Sequence, residues 1–435
     1  LNCVEVKSQE IYWKKKMATF AIGEIPNYFN TEFFKRALEN GLRMGDLKIQ
    51  GISIENLTIG GENYCSNIYR ANIKYKTSED QYNEQTIIIK NMPKQKQSVL
   101  SRLNIYRKET IFYLDIKPKM EALMWYLGEP WNLAARHFHS TTEPEQNIMF
   151  EDLSMLGFTL ESRQVGLDLA HAQIVMKKLG EYHALTMMMA ERTPEIIIDH
   201  FPFGLLNTDS IKKEAFRALF GAQLLKLATL IAEYPKMEKI SKKLLKYYDH
   251  FTERVLDSVY PLRGAVNVLN HGDLWVNNMF FKYDSNSKKF KTPSEVRFID
   301  FQLCYYGSIG FDINYFLNTS IQLDVLKHQR ENLIEGYYAS LLHTLKALPY
   351  TAPQPTFADV LREIAQREAF GFFVSFGFFP LMSMFTMDSQ DNSLEKFYDE
   401  EFARHKIELM FQSNPRTMEA LCYSLQRFDD LRVLD

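Results

Sequence analysis

Between Ala369 and Met387 the chain carries no charged residue and is dense in phenylalanine and methionine. A run of that length has to be kept from water, either across a bilayer or inside a large protein core. Gly371, Ser375, Gly377, Pro380 and Ser383 interrupt it, Arg367, Glu368 and Asp388 flank it, and it is solitary. The pattern predicts a buried helix that ends or kinks near Pro380, inside a helical lobe large enough to surround it. A membrane-anchored protein using 369–387 is the competing reading. The 435 residues are too many for one compact core and natural for two or three lobes.

The first third of the chain reads differently. Residues 31–44 place apolar side chains at helical spacing, with Gly41 and Gly45 near the end, and predict a leading helix. Three runs of strand character follow, 51–59, 67–75 and 85–90, separated by Gly60-Gly61-Glu62-Asn63 and by the polar stretch 76–84. An antiparallel meander is expected there. Residues 101–127 read as a helix broken at Pro118, and 147–150 as a short strand. After Glu151-Asp152-Leu153 long helices take over, notably at 166–190 and 211–233, with a further helical stretch through 236–259. Strands return at 279–283 and 295–299, able to pair across the Asn/Ser/Lys-rich loop 284–294, and from 311 onward the pattern is helical again. The outline is an α+β chain: an N-terminal extension over 1–30, a small β-rich lobe over 31–150, and a helical lobe over 151–435 with a β-ribbon inserted.

Charge excludes some partners. The 51 Lys+Arg against 54 Asp+Glu give a net charge of −3, which exerts no pull toward nucleic acid or anionic membrane. Cys3, Cys65, Cys304 and Cys422 are far apart and form no CxxC pair, so a disulfide framework is disfavoured and a reducing compartment fits. Lys14, Lys15 and Lys16 are not followed by an apolar signal-peptide core, and a cytoplasmic location is expected. The chain opens on Leu1 while Met17 begins a more natural start, so 1–16 are read as an extension without function.

The chemistry concentrates in 271–301. His271-Gly272-Asp273-Leu274-Trp275-Val276-Asn277-Asn278 precedes the expected hairpin, and Arg297-Phe298-Ile299-Asp300-Phe301 follows it. One Asp, an Asn five positions on, and a second Asp after the next strand are the parts that phosphoryl transfer from ATP requires. One carboxylate takes or orients the acceptor's proton; the amide oxygen and the other carboxylate hold magnesium against the phosphates. Either fragment alone reads as a tight turn, but the two together around a hairpin read as a site. Upstream, Gly60-Gly61-Glu62-Asn63-Tyr64-Cys65-Ser66 lies between two expected strands, where a turn lets backbone N–H groups approach phosphate. Lys90 ends the third strand and could reach the α/β-phosphates, and Glu109, 19 residues on in the next helix, is placed to pair with it.

These residues, in this order, resemble the ecdysteroid kinase-like family, also called CHK kinase-like, of the protein-kinase-like superfamily that includes choline kinases and aminoglycoside phosphotransferases. The resemblance runs from about residue 30 to about 410. It takes in Gly61-Glu62-Asn63-Tyr64 with Ser66 and Tyr69-Arg70, Ile89-Lys90, Glu109 with Phe112-Tyr113, and Glu151-Asp152-Leu153. It continues through Leu179-Gly180-Glu181-Tyr182-His183-Ala184-Leu185 and His271 to Trp275 with Asn277-Asn278, and closes with Ile299-Asp300-Phe301-Gln302 and Asp312 with Tyr315-Phe316-Leu317. It implies a bilobal protein-kinase-like fold and an enzyme using ATP and Mg. It further implies Asp273 as catalytic base, Asn278 and Asp300 as magnesium ligands, and Lys90 on the phosphates beside Glu109. Gly60, Gly61, Asn63 and Ser66 would then form the phosphate loop, and the backbone of Glu151 to Leu153 would receive the adenine. His271 is expected to support the catalytic loop, and Asp312 to anchor that loop or cap the next helix.

Two departures separate the chain from protein kinases. The phosphate loop lacks the spaced glycines of GxGxxG, and Asp300-Phe301 is followed by Gln302 instead of Gly. No segment equivalent to an activation loop fits between Asp300 and the helix near Asp312. Both point to a small-molecule acceptor. The 32 Phe, 23 Tyr and 4 Trp, and the apolar late helices, are consistent with an apolar acceptor bearing a hydroxyl, such as a steroid, although any individual phenylalanine more often serves as core. The expected function is phosphorylation of a hydroxyl on an ecdysteroid or a hydroxylated xenobiotic. The alternatives are a choline/ethanolamine-type kinase, whose substrate calls for an aromatic and acidic cage, and a nucleotide-binding pseudokinase. No signal bears on oligomeric state.

Overall fold

The computed structural model describes residues 25–57, 66–92, 103–129, 131–260, 262–284, 292–385 and 400–435. They fall into two compact units. One takes the described residues of Leu1–Thr58, Ser66–Pro93 and Phe138–Phe150; the other takes those of Lys94–His137 and Glu151–Asp435.

The first unit is a helix on a sheet. Helix α1 (Thr31–Leu42) starts where the Asn30 side chain accepts a hydrogen bond from the Phe33 N–H at 3.0 Å, satisfying one donor of the open first turn. Strands β1 (Lys48–Asn56), β2 (Asn67–Lys76) and β3 (Tyr82–Met92) form the expected antiparallel meander; β1 begins three residues earlier than its apolar pattern shows, and β2 and β3 are longer than theirs. Strands β4 (His137–Thr141) and β5 (Gln146–Glu151) complete the order β1-β2-β3-β5-β4. Period-two alternation puts Tyr69, Ala71, Ile73 and Tyr75 of β2 with Ile87 and Ile89 of β3 on one buried face, against Phe34, Ala37 and Leu38 of α1. β4 gave no sequence signal because His137-Phe138-His139-Ser140-Thr141 carries a single apolar residue.

The second unit is helical with two small β-ladders. Its first helical passage is continuous where a break was expected at Pro118: α2 (Ile105–Ile111) passes through a π-turn at Phe112–Ile116 into α3 (Lys117–Tyr126). Proline clashes with the carbonyl four residues back in a regular helix. The wider π-turn just before it relieves that clash, and the Lys117 N–H bonds five residues back to Phe112 O.

After a two-residue strand β6 (Thr159–Leu160) come α4 (Leu169–Arg192), the short α5 (Pro194–Ile197) and α6 (Thr208–Ile211), then α7 (Glu214–Ile231). The helical stretch expected over 236–259 divides into two helices, α8 (Glu238–Tyr247) and α9 (Phe251–Val259). The turn between them is closed by i→i+3 bonds from Asp249 N to Lys246 O and from His250 N to Tyr247 O. Strands β7 (Asn267–Asn270), β8 (Met279–Tyr283), β9 (Pro293–Phe298) and β10 (Tyr305–Ser308) precede α10 (Gly310–Thr319), α11 (Leu323–Ala347), α12 (Phe357–Gln366), α13 (Glu368–Gly377), α14 (Phe379–Ser383), α15 (Glu400–Gln412) and α16 (Pro415–Asp430).

The apolar run becomes α13 and α14, separated at Phe378, two residues before Pro380. Phe370, Phe372, Phe373, Val374 and Phe376 are all buried, in a cluster with α7, α8, α9 and α16. No helix among the described residues is long and apolar enough to cross a membrane.

The long pair α4 and α11 packs backbone to backbone at Gly180. A Cβ there would stand 2.6 Å from Tyr337 O and 2.9 Å from Leu341 N, so only glycine fits. Gly180→Ala is expected to destabilise the fold by about 1–3 kcal/mol through overpacking, seen as a melting temperature lower by a few degrees. An unchanged melting temperature would show that the two helices separate freely.

Candidate active site

Two antiparallel ladders pinch the chain at four points. β7 pairs with β10 so that Asn270 faces Tyr305, and β8 pairs with β9 so that Met279 faces Phe298. The segments 271–278 and 299–304, remote in sequence, must therefore leave the ladders side by side. Ile299 N donates to Asn278 O at 3.0 Å, stitching them together. Asp273, Asn278 and Asp300 converge for this reason.

Gly272 makes the close passage. Its φ is +79°, and a Cβ would lie 2.3 Å from Leu303 O on the neighbouring segment, so a side chain is excluded on both counts. His271 is buried beside it. Its Nε2 lies 2.9 Å from Ile299 O, and Asp273 N donates to its Nδ1 at 3.3 Å. With one nitrogen facing a carbonyl and the other an N–H, the ring is a neutral imidazole bracing both segments.

Asp312 holds the loop from below. It is the third residue of α10, inside the first turn, so of the two roles expected for it the anchor is the one its geometry shows. Its Oδ2 accepts from His271 N at 2.6 Å and its Oδ1 from Gly272 N at 3.0 Å. His183 of α4 reaches Asp312 Oδ2 through Nε2 at 3.3 Å and the Tyr337 hydroxyl of α11 through Nδ1 at 2.7 Å. A chain of buried polar groups thus ties the loop to the two longest helices. Burial holds the His183 pKa below the usual histidine value, so this ring too is neutral.

Asp273 receives side-chain donors from Tyr315, Asn278 and Trp275. The Tyr315 hydroxyl donates to Oδ1 at 2.7 Å and the Asn278 amide to Oδ2 at 3.0 Å, the same amide reaching Asp273 O at 2.8 Å. Burial, and then the charge of Asp300, push the Asp273 carboxyl up to about 7, against the pull of those donors. A carboxylate so poised is suited to take a proton near neutral pH. Asp300 sits in the left-handed region at φ +70°. Gln302 reaches back to Asp300 Oδ2 at 3.0 Å.

A divalent metal would meet oxygen here. With its Nδ2 committed to Asp273, the Asn278 amide presents Oδ1, and Asp300 supplies carboxylate. The set suits a hard cation that completes its shell with water and phosphate. Among the described residues no group of three or more His, Cys, Asp or Glu forms a metal cage. The residues fit a divalent cation that takes its remaining ligands from outside the protein.

The remaining expected residues are distributed as follows. Lys90 is half-buried on β3 of the first unit, in register with Ile68. Glu109 is buried on α2 of the second unit. Ser66 is buried immediately before β2, while Gly60, Gly61 and Asn63 lie outside the described residues. Glu151 ends β5, its carboxylate accepting from Arg297 Nη1 at 3.1 Å and Arg136 N at 3.3 Å. Leu153 is buried at the start of a 3₁₀ turn capped by Asp152. Sequence reasoning assigned no role to Tyr315 or His183. For Tyr315 the signal was present: three residues after Asp312 on one helix, it shares that residue's face.

A model of the ecdysteroid kinase-like family matches residues 60–350, more than half of the chain. No curated protein matches it. Among solved structures it is similar to the choline kinase from Cryptosporidium parvum Iowa II, at 13% identity and a TM-score of 0.41 over 88% of this chain and 91% of that one. It is also similar to the amicoumacin kinase hAmiN in complex with AMP-PNP, Ca2+ and Ami, at 15% identity and a TM-score of 0.32 over 85% and 91%. At these scores neither fixes a residue correspondence.

Proposed function

We propose that this chain, which belongs to the ecdysteroid kinase-like family, is an ATP- and magnesium-dependent phosphotransferase acting on a hydroxyl of a small molecule. The observation that carries the reading is the convergence of Asp273, Asn278 and Asp300 within one loop pair, with Asp273 pushed up to about 7. Asp273 orients the acceptor hydroxyl and takes its proton as phosphoryl transfer proceeds. Asn278 and Asp300 hold the metal, which when bound neutralises charge on the phosphates. The family resemblance further proposes Lys90, Glu109 and Ser66, with Gly60, Gly61 and Asn63 outside the described residues, for the nucleotide phosphates, and the backbone from Glu151 to Leu153 for the adenine. Holding the reactants in line supplies most of what such a reaction needs from a protein.

The acceptor is proposed to be an apolar alcohol, such as an ecdysteroid or a hydroxylated xenobiotic. The Phe378 ring lies 6.0 Å from the Tyr315 ring, whose hydroxyl holds Asp273, and the Phe220 ring 5.8 Å from that of Phe378. Both phenylalanines and Trp275 of the catalytic loop are half-buried, and a flat apolar molecule stacks on such rings. The enzyme is proposed to act in the cytoplasm; among the described residues Cys304 and Cys422 are free thiols.

The test is to incubate the purified chain with MgATP and, separately, ecdysone, choline or kanamycin, and to look by mass spectrometry for a product heavier by one phosphoryl group. Phosphorylated ecdysone supports the full reading. Phosphorylated choline alone moves the acceptor to the quaternary-ammonium class. Magnesium-dependent ATP binding without any turnover, including ATP hydrolysis, would make the protein a nucleotide-binding scaffold and overturn the proposal.

A further inference from the structure

Asp312 and Tyr315 leave α10 on the same face. Asp312 fixes the backbone of His271 and Gly272; Tyr315 goes one step further along the loop and reaches the Asp273 side chain, its hydroxyl donating to Oδ1 at 2.7 Å. The tyrosine is 5% exposed. Its ring packs against Phe370 and Phe378, with centroids 6.4 and 6.0 Å away, leaving the hydroxyl as its one polar side-chain atom. Asn278 holds the other carboxylate oxygen. A carboxylate turns easily about its terminal torsion, which is broad and nearly two-fold. With Tyr315 on one oxygen and Asn278 on the other, and Trp275 adding a further side-chain donor, that rotation is opposed.

We infer that Tyr315 is a positioning residue that fixes the plane of the Asp273 carboxylate and so sets the direction from which an acceptor hydroxyl is deprotonated. The inference rests on the phosphotransferase reading above. It extends that reading because the same ring touches Phe378 at the break between α13 and α14: the element that orients the base is packed against one of the aromatics proposed to meet the acceptor. Asp312 needs only a backbone reach, whereas Asp273 needs a donor that spans the gap from α10, and tyrosine supplies that reach with a rigid ring.

The experiment uses the full chain and slow MgATP hydrolysis, with water as acceptor, so that it does not depend on the unidentified alcohol. Tyr315→Phe removes one oxygen and preserves the ring. A positioned general base contributes about 10²–10⁴ in rate, and loss of its orientation is expected to lower kcat roughly tenfold, with KM for ATP and melting temperature little changed. In an Asp273→Asn background the same substitution is expected to produce no further loss, because Tyr315 acts only through that carboxylate. Equal loss in both backgrounds, a raised KM for ATP with unchanged kcat, or wild-type kcat in Tyr315→Phe would each overturn the inference while leaving the kinase reading intact. Absence of MgATP turnover in the wild-type chain would remove both.

Discussion

Asp273→Asn is expected to lose at least about a hundredfold in phosphoryl transfer, to keep MgATP binding, and to melt at a higher temperature than the wild type near neutral pH. The first effect follows from removing the base. The third follows from where the base is kept. In the folded protein its pKa is pushed from 3.8 up to about 7, burial acting first and Asp300 second. A folded-state pKa above the unfolded one means that the protonated form favours folding. That contribution is complete below about pH 4 and is lost as the pH rises through about 7, where the fold must house an ionised carboxylate.

Asparagine never ionises. It can also satisfy the same neighbours, its carbonyl accepting from Asn278 and its amide donating to the Tyr315 hydroxyl. Each unit of such a shift is worth about 1.4 kcal/mol, so in metal-free buffer the stability advantage of the variant should grow from about pH 4 to about pH 7 and then level off. Melting curves at three pH values in that window check this. A difference that does not grow with pH would mean that Asp273 is not held under strain, and wild-type turnover in the variant would mean that it is not the base.

The second large effect is expected at Asp312. Asp312→Ala deprives two loop N–H groups, of His271 and Gly272, of their acceptor, and takes the partner from His183 Nε2. An unsatisfied buried donor costs about 1–3 kcal/mol, so the total should be on the order of 4 kcal/mol, with turnover lost because Gly272 and Asp273 are no longer held. Asp312→Asn keeps an acceptor oxygen and should fall between alanine and wild type on both measures. Urea unfolding monitored by tryptophan fluorescence, together with ATP turnover, tests the pair. An alanine variant with wild-type stability would show that the loop is held by its ladders alone.

The parts of this site that were legible in the sequence are those whose chemistry is local. Asp273, Asn278 and Asp300 announce themselves by residue type and by the hairpin between them, and β8 and β9 fall where their apolar alternation puts them. What joins them was hidden, because β7 and β10 are four-residue strands whose pairing, Asn270 with Tyr305, is set by long-range contact. The same holds for Pro118, where the expected break was overridden by a π-turn that no periodicity reveals. The apolar run was readable as core, and its interruption at Pro380 was readable too. That the interruption would leave Phe378 half-buried beside Tyr315 was not, since it depends on how α13 packs against α10.

The two sets of side chains proposed to act on the acceptor have different supports. The proton-handling groups hang from short paired strands and from α10, all cross-braced by buried hydrogen bonds. Phe220 belongs to α7, and Phe378 to the joint between α13 and α14. A substitution at Phe220 therefore alters the proposed acceptor surface one ring away from Tyr315, whereas one at Phe378 removes a ring against which Tyr315 itself packs. Selectivity and the set of the base are thus coupled at Phe378 and separable at Phe220.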